Sequence, residues 1–175
     1  MKTTRFTTRC LAAIALAAVL PAATAVAANH GPAKQQSPIE RGEYLVQIAS
    51  CNDCHTPGYS RSGGHAAREQ LLTGEGEVFA GPWGASYPIN LRLFVQSLTA
   101  EQWIHAMRTS TARPPMPWYA LRAMTDEDLA AVYYYIRSLG PAGKPAHAAL
   151  PPGQLPAPPY MQVVLPVKAH GNAKK

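Results

Sequence analysis

Two cysteines and a histidine stand close enough together in this chain to act on a single chemical group. The run Cys51-Asn52-Asp53-Cys54-His55 places two thiols three positions apart and an imidazole directly after the second thiol. This is the spacing that attaches a c-type haem, because each thiol can add across one vinyl group and the histidine then lies under the iron. The motif predicts covalent haem binding, with His55 as an iron ligand.

Other uses of a Cys-x-x-Cys pair compete with this interpretation. A structural zinc site needs a second ligand pair, and the spare histidines His65 and His105 do not supply one at a suitable spacing. A thioredoxin-like pair should follow a strand, whereas the segment before Cys51 has the pattern of a helix. A bare dithiol or a disulfide remains as the alternative to haem attachment.

The amino terminus has the pattern of an export signal. Lys2, Arg5 and Arg9 form a positive region, residues 11–20 form an apolar core, and the small residues at 25–28 offer a cleavage site. The apolar core is about half the length of the ~20 residues that a membrane-spanning helix needs. The pattern therefore predicts cleavage rather than a membrane anchor.

We accordingly expect residues 1–28 to be a Sec signal peptide, residues 29–36 to be a short linker, and the mature protein to be periplasmic with no transmembrane span. Cleavage removes Cys10, so the mature chain keeps only the two cysteines of the motif.

The charge balance argues against a nucleic-acid partner. The chain has 16 basic and 10 acidic side chains and a formal net charge of +6, but three of the basic residues lie in the predicted signal peptide. Two haem propionates would bring the mature protein close to neutral, and no basic stripe is present.

The segment before the motif predicts a helix. Ser37-Pro38-Ile39-Glu40 is a capping box with proline at the first helical position, so a helix should run over 38–50. Gly42 inside this helix indicates that another helix crosses closely there. The side chains that we expect this helix to bury are Tyr44, Leu45 and Ile48.

Two further helices are predicted in the second half of the chain. A capping box over 99–102 opens a helix that ends near Met107 and has Trp103 on the same face. Thr125, followed by three acidic residues, opens a last helix that ends before Gly140. We expect this last helix to cross the first one near its glycine. Its apolar stripe consists of Leu129, Val132, Tyr133 and Ile136.

The segments between these helices predict loops. Residues 56–64 should be irregular, residues 66–72 could form a short helix, and residues 73–91 should wrap an apolar plate without regular structure. In the last of these, Trp83 and Tyr87 are either core residues or donors to a haem propionate. No segment shows the sustained apolar alternation of a strand, so the predicted fold class is all-α.

The sixth coordination position of the iron determines the chemistry, and Met116 is the best candidate for it. Three prolines surround Met116 at 114, 115 and 117, so the thioether projects from a stiff loop. A preorganised loop suits a weak iron ligand such as a thioether, because little of the free energy of the sulfur–iron bond is then spent on ordering the chain. Packing is the ordinary use of a methionine, and His65 or His105 would be the competing ligands.

From these residues the chain resembles a class I, mono-haem cytochrome c over positions 37 to about 139. The runs 116–119, 124–129 and 135–139 are similar to haem modules in cytochrome subunits of bacterial periplasmic alcohol, aldehyde and gluconate dehydrogenases. The resemblance implies a small helical domain wrapped around one covalently bound haem c. It further implies thioether attachment through Cys51 and Cys54 and iron ligation by His55 and Met116.

After the predicted domain, residues 37–140, the chain becomes proline-rich. Residues 141–175 should form an extended tail with little core of its own. Apolar clusters at 160–161 and 163–167 favour a tail that wraps over the domain or docks on a partner, and a disordered end is the alternative.

These features predict an exported one-electron carrier. It would accept electrons from a periplasmic or membrane-bound dehydrogenase and pass them to a downstream cytochrome or oxidase of a respiratory chain. With both axial positions filled, the iron has no open site, so we expect a redox partner and not an enzyme, without catalytic residues. The alternatives are a haem sensor or peroxidase-like enzyme with a displaceable sixth ligand, and a haem-free thiol oxidoreductase.

Overall fold

A computed structural model of the chain describes residues 36–166. The predicted signal peptide, nearly all of the predicted linker and the last part of the tail lie outside the described residues.

Six α-helices form most of the regular structure of the described chain. Two single 3₁₀ turns, Arg68–Gln70 and Val95–Ser97, accompany them. The helices are α1 (Pro38–Ile48), α2 (Cys51–His55), α3 (Leu91–Phe94), α4 (Ala100–Thr109), α5 (Trp118–Ala123) and α6 (Asp126–Ser138). This mostly helical architecture confirms the predicted fold class.

Helix α1 begins at the predicted capping box. The Glu40 backbone N–H donates to the Ser37 hydroxyl at 3.2 Å, and the Ser37 backbone N–H donates to the Glu40 carboxylate at 2.8 Å. The helix ends at Ile48, two residues earlier than predicted, and Ser50 adopts a left-handed φ of 55°. This reversal of the backbone turns the chain directly into α2.

The buried face of α1 differs from the predicted one. Gly42, Leu45 and Val46 are buried, whereas Tyr44 is 46% exposed and Ile48 is 57% exposed. The prediction that α1 buries Tyr44 and Ile48 is therefore wrong, and only the predicted burial of Leu45 is confirmed. At 3.6 residues per turn, Tyr44 and Ile48 lie on a different side of the helix from Gly42, which faces α6.

The predicted crossing of α1 and α6 at Gly42 is confirmed. A Cβ atom on Gly42 would lie 2.0 Å from the carbonyl oxygen of Ala131 and 2.7 Å from the Cβ of Tyr135. Glycine therefore allows the two backbones to approach more closely than any side chain would permit. The predicted stripe of α6 is buried: Leu129, Val132, Tyr133 and Ile136.

Helix α4 packs on α6 through the two residues predicted for its buried face. Trp103 and Met107 are both buried. The Trp103 indole N–H donates to the Leu129 carbonyl at 2.9 Å, so the polar edge of a buried aromatic is satisfied by the α6 backbone. Helices α1, α4 and α6 thus enclose one apolar core.

A small sheet, which was not predicted, lies outside the helical core. β1 (Phe79–Gly81) and β2 (Gly84–Ser86) form an antiparallel hairpin, and β3 (Met161–Gln162) pairs in parallel with β1. Phe79 lies opposite both Ser86 and Met161. The predicted irregularity of 73–91 is therefore wrong at the hairpin. Strands of two or three residues are too short to show apolar alternation.

The described part of the tail wraps over the domain. Leu150 forms an isolated bridge with Ala85, and the Asn90 side-chain amide donates to the carbonyls of Ala142 at 2.8 Å and Lys144 at 3.2 Å. Wrapping, one of the predicted alternatives, is confirmed for residues 141–166, and a disordered end is wrong for that stretch. In the described part of the chain, every helix is too short or too polar to cross a bilayer.

Candidate haem site

Helix α2 consists of the five residues of the motif and holds both thiols on one turn. Cys51 and Cys54 lie three positions apart, on one face of the helix, and within residues 36–166 both are free thiols. Both are half-buried, whereas His55 is 6% exposed. A bulky group could therefore reach the two sulfurs, while the imidazole is held inside.

The ring of His55 is oriented by one hydrogen bond. Its Nδ1 lies 2.8 Å from the Ile89 carbonyl oxygen. A carbonyl can only accept, so Nδ1 carries the proton and Nε2 keeps its lone pair. Burial lowers the pKa of His55, and the bond to Ile89 offsets part of that effect. A neutral imidazole with a free Nε2 is the form that ligates a metal.

Ile89 was not identified from the sequence, because it acts through its backbone carbonyl. The local signals are its neighbours: Pro88 limits the chain before it, and Asn90 caps α3 after it by accepting from the Leu93 N–H. These residues indicate a fixed turn, but they do not indicate which side chain the carbonyl of Ile89 meets.

Buried hydrogen bonds hold α2 to the segment that follows it. The Leu72 N–H donates to the Thr56 hydroxyl at 2.7 Å, and that hydroxyl donates to the Asn52 side-chain oxygen at 2.7 Å. Asn52 and Thr56 are both buried. The backbone N–H of Gly76 also donates to the Cys54 carbonyl at 2.8 Å. The motif is thus held by the segment that follows it in the sequence.

The two thiols are weakly acidic. Burial raises the pKa of the Cys51 thiol to about 11. Burial, followed by the nearby carboxylates of Asp53 and Glu77, raises the pKa of Cys54. A thiol oxidoreductase needs a lowered thiol pKa, because the thiolate is the nucleophile. The site therefore does not favour the dithiol alternative.

The structure provides space beside Cys54. A cleft of about 480 Å³ opens there, and Phe79 of β1 and Met161 of β3 contribute apolar side chains to its wall. Asp53, Ser60, Arg61 and Glu77 form its polar part. This cleft borders only one of the two thiols, because its lining does not include Cys51, His55 or Met116.

Met116 lies in the non-helical segment between α4 and α5, as predicted. It is half-buried and packs against the same core cluster as Cys51. The rival histidines His65 and His105 are both exposed, and neither is held in place as His55 is. Met107 is buried within α4. Met124, between α5 and α6, is half-buried and packs against the same cluster as Met116, so it is the other methionine outside the helices that could compete.

Trp83 and Tyr87 are half-buried, so neither is a fully enclosed core residue. The Trp83 indole N–H donates to the Ser86 hydroxyl at 3.0 Å, within the hairpin. The Tyr87 ring packs against His147 of the tail, with 5.4 Å between the ring centroids. Trp83 thus stabilises the hairpin itself, whereas Tyr87 connects the segment after the hairpin to the tail.

The donor set fits haem c and not a structural zinc ion. Two thiols on one helical face and an imidazole with a free Nε2 would hold a haem c, and the thioether of Met116 would be available as a second iron ligand. Among residues 36–166, no group of three or more His, Cys, Asp or Glu side chains could hold a metal ion.

Comparison with known proteins agrees with this geometry. The family model for cytochrome c matches residues 39–140. The chain is also 36% identical to the fructose dehydrogenase cytochrome subunit of Gluconobacter japonicus over 138 aligned residues, which cover 73% of this chain and 26% of that protein. The chain thus spans about a quarter of that relative's length. No solved structure gives a significant match.

The family match covers α1 from its second residue, the motif, the Met116 loop and the whole of α6. The chain therefore belongs to the cytochrome c family, a family of electron-transfer proteins that carry covalently attached haem c.

Proposed function

We propose that this cytochrome c is an exported one-electron carrier that serves a dehydrogenase. The hydrogen bond from His55 Nδ1 to the Ile89 carbonyl carries the proposal, because it prepares a neutral imidazole as a permanent axial ligand. When bound, the haem supplies one-electron cycling between Fe(III) and Fe(II).

The chain's own residues hold and enclose the group. Cys51 and Cys54 would hold the haem through thioether bonds, and His55 and Met116 would ligate its iron. A thioether ligand raises the reduction potential. If His55 and Met116 both ligate the iron, a substrate would have no place on it, so the protein would transfer electrons and perform no chemistry on a substrate of its own.

A dehydrogenase is the proposed electron donor. The support is the likeness to the cytochrome subunit of fructose dehydrogenase, which extends over most of this chain. The acceptor would be a downstream cytochrome or an oxidase of a respiratory chain. The chain spans only a quarter of that relative's length, so we do not propose that its dehydrogenase partner oxidises the same sugar.

Export to the periplasm is proposed from the pattern of residues 1–28. The mass of the purified holoprotein tests it: a mature chain that begins near residue 29 and carries one haem supports export and attachment. A mass equal to the full-length chain without haem would overturn both.

Met116→Ala tests the distal ligand. Ferric wild-type protein should show the weak near-infrared band of sulfur-to-iron charge transfer, and the variant should lose it, bind carbon monoxide when reduced, and have a lower reduction potential. Met124→Ala is the matched control, because Met124 is also a half-buried methionine outside the helices and packs against the same core cluster. An unchanged potential and band in Met116→Ala would remove Met116 as the ligand.

A further inference from the structure

The segment that carries Met116 has little structure of its own. Between α4 and α5, residues 110–117 form neither helix nor strand. Two hydrogen bonds of Trp118 tie the segment locally: its backbone N–H donates to the Met116 carbonyl at 3.0 Å, and its indole N–H donates to the Ala112 carbonyl at 3.0 Å. The position of Met116 therefore depends strongly on what holds the segment from outside.

The β1–β2 hairpin holds it on one side. The Ser86 hydroxyl donates to the Pro114 carbonyl at 2.6 Å, and Ser86 is itself oriented by the Trp83 indole N–H. One guanidinium nitrogen of Arg113 donates to the Trp83 carbonyl at 3.1 Å. Both contacts fall within three residues of Met116 in the sequence.

The tail holds the same segment through the same arginine. Arg113 also donates to the Leu150 carbonyl. Leu150 is fixed on the hairpin by two backbone hydrogen bonds with Ala85, at 3.1 and 3.2 Å. Farther along, β3 is paired with β1. Arg113 thus joins the Met116 segment, the hairpin and the tail.

The close approach of the tail depends on a glycine. A Cβ atom on Gly84 would lie 2.1 Å from the Leu150 carbonyl oxygen and 2.4 Å from that of Pro151, and Gly84 has a φ of +96°. Backbone atoms at those distances cannot give way without moving the tail. The hairpin is therefore built to receive the tail at the point where Arg113 reaches it.

We infer that residues 145–155, which we call the tail strap, and Arg113 position Met116 on the iron and restrain its departure. Arg113 is a positioning residue that acts through the backbone of the segment. This inference rests on the proposed ligation by Met116. Its consequence is that loosening the strap increases the fraction of protein in which the thioether is off the iron, without unfolding the helical core.

Binding of imidazole to the ferric holoprotein measures that fraction. External imidazole occupies the sixth position only where Met116 has left it, so its apparent affinity scales with the fraction of open protein. In Arg113→Ala we expect binding roughly threefold to tenfold tighter than in wild type, a modest effect because the lost hydrogen bonds are exposed. Arg137→Ala is the matched control: Arg137 also donates to a backbone carbonyl, that of Val95, far from residue 113 in the sequence.

Two truncations test the strap itself. A chain that ends at Lys144 loses Leu150 and should bind imidazole about tenfold more tightly or better, with a weaker near-infrared band. A chain that ends at Pro166 keeps the strap and β3 and should behave as wild type. Equal affinities in Arg113→Ala, the Lys144 truncation and wild type would overturn the inference.

The Met116→Ala background separates this inference from the proposed ligation. Without the thioether there is nothing to displace, so Arg113→Ala should no longer change imidazole affinity. A wild-type protein without the near-infrared band would refute ligation by Met116. Suppose instead that wild type shows the near-infrared band but Arg113→Ala still tightens imidazole binding in the Met116→Ala background. Met116 would then stand as the ligand, and the positioning role of Arg113 would be refuted.

Discussion

The helical core and the hairpin side of this cytochrome are stabilised in different ways. In the core, α1, α4 and α6 each begin at a side-chain cap within their own sequence and then pack through apolar faces. On the hairpin side, two strands of three residues and one of two are joined to a loop and a tail through backbone carbonyls. The first region is encoded locally, whereas the second depends on partners far away in the chain.

The difference matters for function because the motif lies at the boundary. Cys51 packs against the helical core, while His55 receives its orienting contact from Ile89, just before α3. The two proposed iron ligands are thus held differently: His55 by one backbone carbonyl beside α3, and the Met116 segment by the hairpin and the tail. Three variants test this division, in order of expected effect.

Gly42→Leu should break the core. The new side chain meets the Ala131 carbonyl, and backbone at 2.0 Å cannot move aside without separating α1 from α6. We expect a loss of about 3 kcal/mol or more in the free energy of unfolding, measured by denaturant titration of the holoprotein.

The control is Glu43→Leu, the next residue of α1, whose side chain is exposed. Stability and haem content equal to wild type in Gly42→Leu would mean that the helices do not cross as closely as described.

Thr56→Val should weaken the junction between the motif and the segment after it. The substitution keeps the shape but leaves the buried Leu72 N–H and the Asn52 side-chain oxygen without the Thr56 hydroxyl. We expect a loss of about 2 kcal/mol in the free energy of unfolding. Thr109→Val is the control, because its hydroxyl bonds to the His105 carbonyl at an exposed helix end. Equal losses in the two variants would refute a special role for the buried hydroxyl.

Glu75→Gln should have the smallest effect and should depend on pH. Burial acts to raise the pKa of Glu75, but hydrogen bonds from the backbone and ring of His147, at 2.5 and 2.6 Å, outweigh it and leave the pKa below its ordinary value of 4.5. A carboxyl with a lowered folded pKa adds stability above the unfolded pKa, and this is lost as the pH falls through the folded value.

Because His147 is 66% exposed, the difference between wild type and Glu75→Gln should be under about 1 kcal/mol at neutral pH. It should begin to fall near the unfolded pKa of 4.5 and should vanish only below the lower pKa of the folded state. Thermal unfolding at a series of pH values measures it, with Glu43→Gln as the control. A difference that stays constant down to low pH would argue against a contribution from the ionised Glu75 carboxylate.

The two regions also differ in how well they could be predicted. The capping boxes at Ser37 and Thr99, the cap at Thr125 and the crossing at Gly42 were all predicted, because each is encoded by side-chain types within one turn of its position. The buried face of α1 was mispredicted at Tyr44 and Ile48. Several apolar residues share that helix, and only the partner helix selects which of them face the core.

The sequence by itself determined the chemistry: the spacing of Cys51, Cys54 and His55 specifies a covalent haem through residue types that few other sites combine. The tertiary structure alone decided that the Ile89 carbonyl orients His55 and that Leu150 and Arg113 hold the Met116 segment. These contacts use backbone carbonyls, which every residue carries. Which carbonyl pairs with which donor follows from the path of the folded chain, and the residue type that supplies the carbonyl does not indicate it.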